Sequence, residues 1–280
     1  MRIHIGYFTS TGNTLWLASK AKGIMEAQGH TVKLFEIIKE GAELAREDCD
    51  LLGFFYPVWG SEPPDPLVEY RKNMPEGNGK KIFLVGNCCA FTGDTGLRWK
   101  HIMEKKGYDV FYIDHVIMPT NLNIPWLPEN LWKKVPVGEE LKNILFKAEV
   151  KLQKVCESIL KGEKKVEGRG PISRVGGFIQ REFYWTADGY KSRFSVNKER
   201  CIQCHLCYRV CPTENISINE DGEIVFGKKC ILCVKCFNLC PVNAVLICEK
   251  SIDDQKYRRY KGPSKEIKPV EYRSSVLPAR

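Results

Sequence analysis

The sequence has no run of 18 or more apolar residues, so no stretch of it reads as a membrane-spanning helix. Its opening, MRIHIGYFTSTGNT, lacks a charged stretch followed by a long apolar run, and no secretory signal is expected. No G-x-G-x-x-G is present, which excludes the dinucleotide fingerprint. No Gly-Lys-Ser/Thr follows the first glycine turn, which excludes a Walker loop. No acid or base stands out either. Tyr112, Asp114 and His115 lie near the end of a strand pattern, but no catalytic residue is assigned. The remaining composition, 43% hydrophobic and 28% charged over 280 residues, suits a globular chain with one large and one small domain.

Cysteine is what the chain has in excess. Eight of its 13 cysteines fall in two runs, Cys201-Ile-Gln-Cys204-His-Leu-Cys207-Tyr-Arg-Val-Cys211-Pro212 and Cys230-Ile-Leu-Cys233-Val-Lys-Cys236-Phe-Asn-Leu-Cys240-Pro241. The surrounding residues repeat as well, CIQCHLCYRVCPTENISI aligning on CILCVKCFNLCPVNAVLI. This C-x2-C-x2-C-x3-C-P spacing, present twice, resembles the bacterial two-cluster ferredoxins. Three thiolates at that spacing can wrap one corner of an iron–sulfur cube, while the fourth points away as the chain turns into a short helix. The fourth cysteine of each run is therefore expected on the other run's cluster. That assigns Cys201, Cys204, Cys207 and Cys240 to one [4Fe–4S] cluster, and Cys230, Cys233, Cys236 and Cys211 to the other. Zinc and disulfides are the alternatives. Zinc sites favour paired C-x2-C knuckles, a poor fit to two four-cysteine runs ending in C-P. Disulfides need an oxidising compartment. His205, where many ferredoxins have glycine, is read as an exposed passenger or as a group that tunes the first cluster. The isolated Cys49, Cys156 and Cys248 are read as packing residues.

At the N-terminus, Arg2–Phe8 reads as a buried strand and Leu15–Gln28 as a helix with Leu15, Ala18, Ala21 and Met25 on one face. Between them stand Thr9, Ser10, Thr11, Gly12, Asn13 and Thr14. A hydroxyl-rich turn at a helix N-terminus is an anion site, because unpaired backbone N–H groups and the helix dipole face it. Such neutral donors suit a phosphate monoester. Thr9, Thr11, Gly12 and Thr14 resemble the T-x-T-G-x-T phosphate loop of flavodoxins, which implies FMN.

The apolar run Asp50–Tyr56 reads as a central parallel strand and breaks into Pro57, Val58, Trp59 and Gly60. By the same resemblance Trp59 borders the flavin, or else packs the loop onto the sheet. The next strand, Lys80–Gly86, opens into Asn87, Cys88, Cys89, Ala90, Phe91 and Gly93, the counterpart of the second flavin loop, with Phe91 where flavodoxins often carry a stacking tyrosine. The vicinal Cys88–Cys89 pair departs from that pattern and is read as small apolar filling. With a helix over Gly93–Lys106, a strand over Tyr108–Ile117 and a helix over Val137–Leu160, the fold expected is α/β. It is a doubly wound parallel five-stranded sheet of order 2-1-3-4-5, followed by a small α+β ferredoxin-like domain.

The expected boundaries are 1–160 for the flavodoxin-like domain, 161–192 for a linker, 193–250 for the ferredoxin domain and 251–280 for a basic tail. The tail reads as solvated or as embracing a domain. The proline-rich stretch Met118–Pro136 reads as a lid over the flavin, with Asn121, Asn123 and Trp126 as contacts. A surface excursion or a homodimer patch is the alternative. The whole resembles the EFR-type flavodoxin–ferredoxin fusion proteins of anaerobic bacteria and archaea. The resemblance implies two [4Fe–4S] clusters, FMN, a cytoplasmic setting, and electron transfer to a redox protein (a ferredoxin or an oxidoreductase) or to a small-molecule acceptor. A flavin-dependent reductase fed through its own clusters is the second reading. The formal charge of +9 gives no argument for nucleic acid. Eight thiolates, two cluster cores and an FMN phosphate would bring the balance to about +3.

Overall fold

The computed structural model describes residues 1–38, 47–123, 125 and 134–273. The chain divides into two compact units. One comprises Met1–Thr9, Asn13–Pro119 and Val137–Trp185, the other Ser10–Gly12, Thr120–Pro136 and Thr186–Arg280.

The first unit alternates strand and helix: β1 (Arg2–Tyr7), α1 (Asn13–Glu26), β2 (Thr31–Glu36), β3 (Leu51–Pro57), α2 (Asp65–Asn73), β4 (Lys81–Cys88), α3 (Thr95–Lys105), β5 (Asp109–Ile117), α4 (Gly138–Leu160), β6 (Lys165–Val166) and α5 (Pro171–Trp185). All pairings in its sheet are parallel, in the order β2-β1-β3-β4-β5-β6. This is the doubly wound, flavodoxin-like order, in which ligands bind outside the carboxyl ends of the strands. Every residue of β3 is buried, as a strand covered on both faces requires. Gly53 is needed there, because a Cβ would lie 2.0 Å from the Phe83 ring. Trp99 of α3 is fully buried and packs edge-on against Tyr56, with ring centroids 4.5 Å apart.

The sheet has six strands where five were expected. The extra one lies in the stretch expected as a linker, pairing Lys165 with Tyr112 and Val166 with Ile113. The charges that made this stretch look solvated are what hold it. Lys165 and Lys151 both donate to the buried Asp114 carboxylate, at 2.7 and 2.9 Å, and His115 Nδ1 meets Glu167 at 2.5 Å. Burial alone would raise the pKa of Asp114, but the lysine hydrogen bonds outweigh it and hold the group at about 2.

The second unit holds β7 (Ser195–Val196), α6 (Leu206–Arg209), β8 (Ile216–Ile218), β9 (Ile224–Phe226), α7 (Lys235–Leu239) and β10 (Val245–Leu246). β10 pairs antiparallel with β7, and β8 with β9 through a turn in which Gly222 takes φ +79°. Phe194, Leu232, Val234, Phe237, Ala244, Val245, Ile247 and Tyr257 form its core. The basic tail is woven into this unit. Arg259 is buried over the Phe237 ring and donates to the carbonyls of Tyr257, Asn243 and Val245. Lys261 caps the end of α7 through the carbonyls of Asn238 (2.9 Å) and Cys240 (3.0 Å). Farther on, the Tyr272 N–H donates to the Arg209 carbonyl, and Arg273 donates to that of Ile216.

Candidate cofactor sites

The eight cysteines of the two runs gather into two sets. Cys201, Cys204, Cys207 and Cys240 line one small cavity, together with His205 and Val242. Cys211, Cys230, Cys233 and Cys236 line another, together with Phe194, Ile231 and Val234. Each set thus takes its fourth cysteine from the other run. The electrostatic coupling divides the same way. Burial first, then Cys240, Cys204 and Cys201, push the Cys207 thiol up to about 12. Burial first, then mainly Cys233, Cys230 and Cys211, push Cys236 well above the usual thiol range. Four crowded thiolates are unfavourable in a protein alone. A cationic core would reverse that balance, so the donor set fits an iron–sulfur cluster.

The backbone repeats with the thiols. Gln203, His205 and Glu214 adopt left-handed conformations (φ +51°, +56° and +53°), and so do Leu232, Val234 and Asn243 (φ +54°, +51° and +54°), each 29 residues later. Bulky residues rarely accept φ > 0, and where they do the strain tends to mark a functional site. Here the turns bend the chain around each cavity. Backbone N–H groups face sulfur in both halves: Asn215 N to Cys211 Sγ at 3.3 Å, and its repeat counterpart Ala244 N to Cys240 Sγ at 3.2 Å.

In the hydroxyl loop, Thr9, Ser10, Thr11, Asn13 and Thr14 are all buried. In the first unit Thr14 Oγ1 donates to Asn87 Oδ1 at 2.8 Å, joining the loop to the end of β4, and Asn13 Nδ2 donates to the Pro119 carbonyl. In the second unit Asn121 Nδ2 donates to Thr11 Oγ1 at 3.1 Å, leaving the Thr11 proton able to point elsewhere. Gly12 has φ +100°, and a Cβ there would lie 2.9 Å from Ile267. Ser10 Oγ is buried with no hydrogen-bond partner. A buried orphan hydroxyl among hydroxyl neighbours at the start of α1 fits a phosphate oxygen as its missing partner.

The two aromatic loops of the first unit come together beyond the strand ends, with Val58 N donating to the Asn87 carbonyl at 2.9 Å. Pro57 is buried, Val58 and Gly60 are half-buried, and Trp59 sits edge-on to Phe8 with centroids 6.0 Å apart. Cys88 ends β4 and is buried, Cys89 is half-buried and Ala90 is exposed. Phe91 and Gly93 meet something the sequence reading missed. Helix α5 packs on both loops. A Cβ on Gly176 would lie 2.8 Å from the Phe91 ring, one on Gly93 2.8 Å from Gly177 Cα, and one on Gly60 2.5 Å from Tyr184 Cβ. Gln180 accepts from Ser61 Oγ, and Arg181 pairs with Asp94. Pro171 at the first helical position, with apolar residues at 172, 175 and 179, was the available signal for this helix. Of the expected lid contacts, Asn123 accepts from Val135 N at 2.7 Å and donates to the Lys256 carbonyl, within the second unit. Trp126 lies outside the described residues.

Residues 200–245 match the family of 4Fe-4S dicluster domains. No curated protein matches the chain. Among solved structures, the chain is similar to a short-chain flavodoxin associated with a non-canonical PDU bacterial microcompartment, at 16% identity, with 57% of this chain and 97% of that one covered and a TM-score of 0.40. It is also similar to Flavodoxin 1 of Bacillus cereus (17% identity, 54% and 98% covered, TM-score 0.36). A third likeness is to two-electron reduced flavodoxin of Megasphaera elsdenii (24% identity, 53% and 98% covered, TM-score 0.37). By strand order the first unit is flavodoxin-like, and by the family match the second carries a 4Fe-4S ferredoxin domain, the composition of a flavodoxin–ferredoxin fusion. Among the described residues no helix is long and apolar enough to cross a membrane.

Proposed function

We propose that the protein is an electron-transfer iron–sulfur flavoprotein that passes low-potential electrons singly between two [4Fe–4S] clusters and FMN. From FMN they go on to a redox protein, such as a ferredoxin or an oxidoreductase, or to a small-molecule acceptor. Cys201, Cys204, Cys207 and Cys240 hold one cluster; Cys230, Cys233, Cys236 and Cys211 hold the other. Thr9–Thr14 seat the FMN phosphate, and Pro57–Gly60 with Asn87–Gly93 border the ring. The observation that carries this reading is the sorting of eight thiols, all but Cys204 buried or half-buried, into two crossed sets of four. A reducing, cytoplasmic setting suits that many thiols.

When bound, the clusters supply one-electron transfer and the flavin links one- to two-electron chemistry. The chain's own work is positioning and electrostatics. The backbone N–H groups of Asn215 and Ala244 stabilise charge on the Cys211 and Cys240 sulfurs. The apolar walls of Phe194, Ile231 and Val234 keep water from the second cavity. Thr14, oriented by Asn87, fixes the start of α1 against the end of β4.

One observation favours the alternative, a reductase acting on a small molecule at the flavin. Helix α5 packs on the Gly60 and Phe91–Gly93 loops assigned to the ring's border, and loops braced in this way suit a site screened from water, as hydride transfer requires. Anaerobic purification with iron, sulfide and flavin quantitation, followed by reductive titration, tests the main reading. About eight irons, eight sulfides and one FMN per chain are expected. Far fewer irons, or no flavin, would overturn it. Turnover with one-electron protein acceptors separates the carrier from the reductase.

A further inference from the structure

We propose that the outward face of α5 is the contact through which two copies of this chain pair, antiparallel and centred on Phe178 and Ile179. The inward face is occupied within the first unit, where Gly176, Gly177, Gln180, Arg181 and Tyr184 pack on the loops around Gly60 and Gly93. The opposite face presents Ile172 (81% exposed), Val175 (60%), Phe178 (59%), Ile179 (60%) and Trp185 (76%). These side chains leave open roughly 700 Å² of apolar surface, beyond the typical largest patch on a monomer and near the ~800 Å² that each partner buries in a standard interface.

The sequence of the face fits a second copy. In a 15-residue helix, twofold pairing about the Phe178–Ile179 midpoint sets Ile172 against the partner's Trp185 and Phe178 against the partner's Ile179. Glu182 decides between a protein and a lipid as the occupant. It is exposed and, by helical spacing, lies between Val175, Phe178 and Ile179 on the same apolar face. A bilayer surface would have to take that carboxylate in along with the apolar strip, which is unfavourable. In the antiparallel pair, Glu182 comes level with the partner's Val175, and the partner's Arg174, one residue along, reaches its carboxylate from the flank; the match occurs twice by symmetry. Arg181 is unavailable for this role, being paired with Asp94 on the inward side.

The proposal does not depend on cofactor content, and its test reads mass alone. Sedimentation of the full-length, anaerobically prepared protein from about 1 to about 100 µM should give a species of twice 32.1 kDa. The double variant Phe178→Asp/Ile179→Asp should be monomeric with its thermal transition retained. Arg174→Glu or Glu182→Arg alone should weaken pairing at least about tenfold, and combining the two should restore it. Flotation with anionic phosphatidylglycerol vesicles gives the competing outcome. A wild-type chain that stays monomeric throughout, a dimer indifferent to these variants, or a monomer that floats with vesicles would each overturn the proposal.

Discussion

The two cysteine runs share one backbone design but stand in different surroundings. Their left-handed turns fall at matching positions, and their N–H···S contacts recur. Yet Cys204 of the first run is exposed where Cys233 of the second is buried. His205 stands where the second run has Val234, and Leu206 where it has Lys235. Spacing therefore builds the two cages alike, and side chains around them make them unequal. If the runs hold clusters, the pair should differ in potential and in vulnerability.

The largest expected effect tests the crossing itself. Cys240→Ala should lose the cluster whose other three ligands come from the first run, lowering iron from about eight to about four per chain. Its paramagnetic signature on reduction should match that of Cys204→Ala. Should it match Cys236→Ala instead, each run keeps its own fourth cysteine and the crossed assignment fails. The reciprocal variant, Cys211→Ala, should pair with Cys236→Ala.

Next in size is the charge beside the second set. Lys235 is 0% exposed although it sits between two of the proposed ligands, Cys233 and Cys236. Its Nζ lies 3.0 Å from Tyr272 Oη and 4.6 Å from that ring's centroid. A positive charge held there favours the more negative, reduced form of a neighbouring cluster. Lys235→Met should lower the second cluster's potential by on the order of 50–100 mV, the scale of a nearby unit charge at an effective dielectric constant near 20. Leu206→Met, the matching position in the first run, should leave its cluster unmoved. Redox titration followed by electron paramagnetic resonance reads both, and equal shifts would remove Lys235 as a source of inequality.

This asymmetry shows where sequence reasoning stops. Thiol spacing announces the cages because the ligands carry their own geometry. The all-apolar β3 announces the sheet because only a strand covered on both faces can be apolar throughout. What stayed hidden depended on distant partners. Lys165 reads as a solvated charge until Asp114 is found beside it. Gly176 and Gly177 fall in the stretch expected as a linker, and their use shows only when Phe91 and Asp94 are found against them. Arg259 reads as part of a basic tail until the carbonyls it satisfies are in view. The hydroxyl loop stood out by its residue types, but the crowding of Gly12 by Ile267, 255 positions later, did not.

The tail supports the two halves unequally, which gives a third comparison. Arg259 lies over Phe237, three of its hydrogen bonds go to carbonyls of the second half and the tail, and burial lowers its pKa to about 10. Arg273 serves the first half with one bond to Ile216 and a stack 4.2 Å from the Tyr208 ring. Arg259→Ala leaves several buried acceptors unmet and should cost about 2–4 kcal/mol. Arg273→Ala should cost about 1 kcal/mol. Anaerobic thermal melts of the loaded protein rank the two, and equal losses would mean that the tail braces both halves alike.

The smallest effect comes from the strained turns. His205 and Val234 share a left-handed backbone, so glycine at either relieves a similar strain, about 1 kcal/mol. What each side chain does besides differs. His205 is only half-buried, and its Nε2 is buried with no hydrogen-bond partner, so His205→Gly removes an unmet polar atom along with the strain. Val234 belongs to the core with Leu232 and Phe237, so Val234→Gly opens a cavity that outweighs the relief by about 1–2 kcal/mol. His205→Gly should therefore raise the melting temperature by a few degrees and Val234→Gly should lower it. If His205→Gly lowers it instead, Nε2 is donating to the contents of the first cavity. The same variant should then shift that cluster's potential downward, because a hydrogen bond to sulfur favours the reduced state.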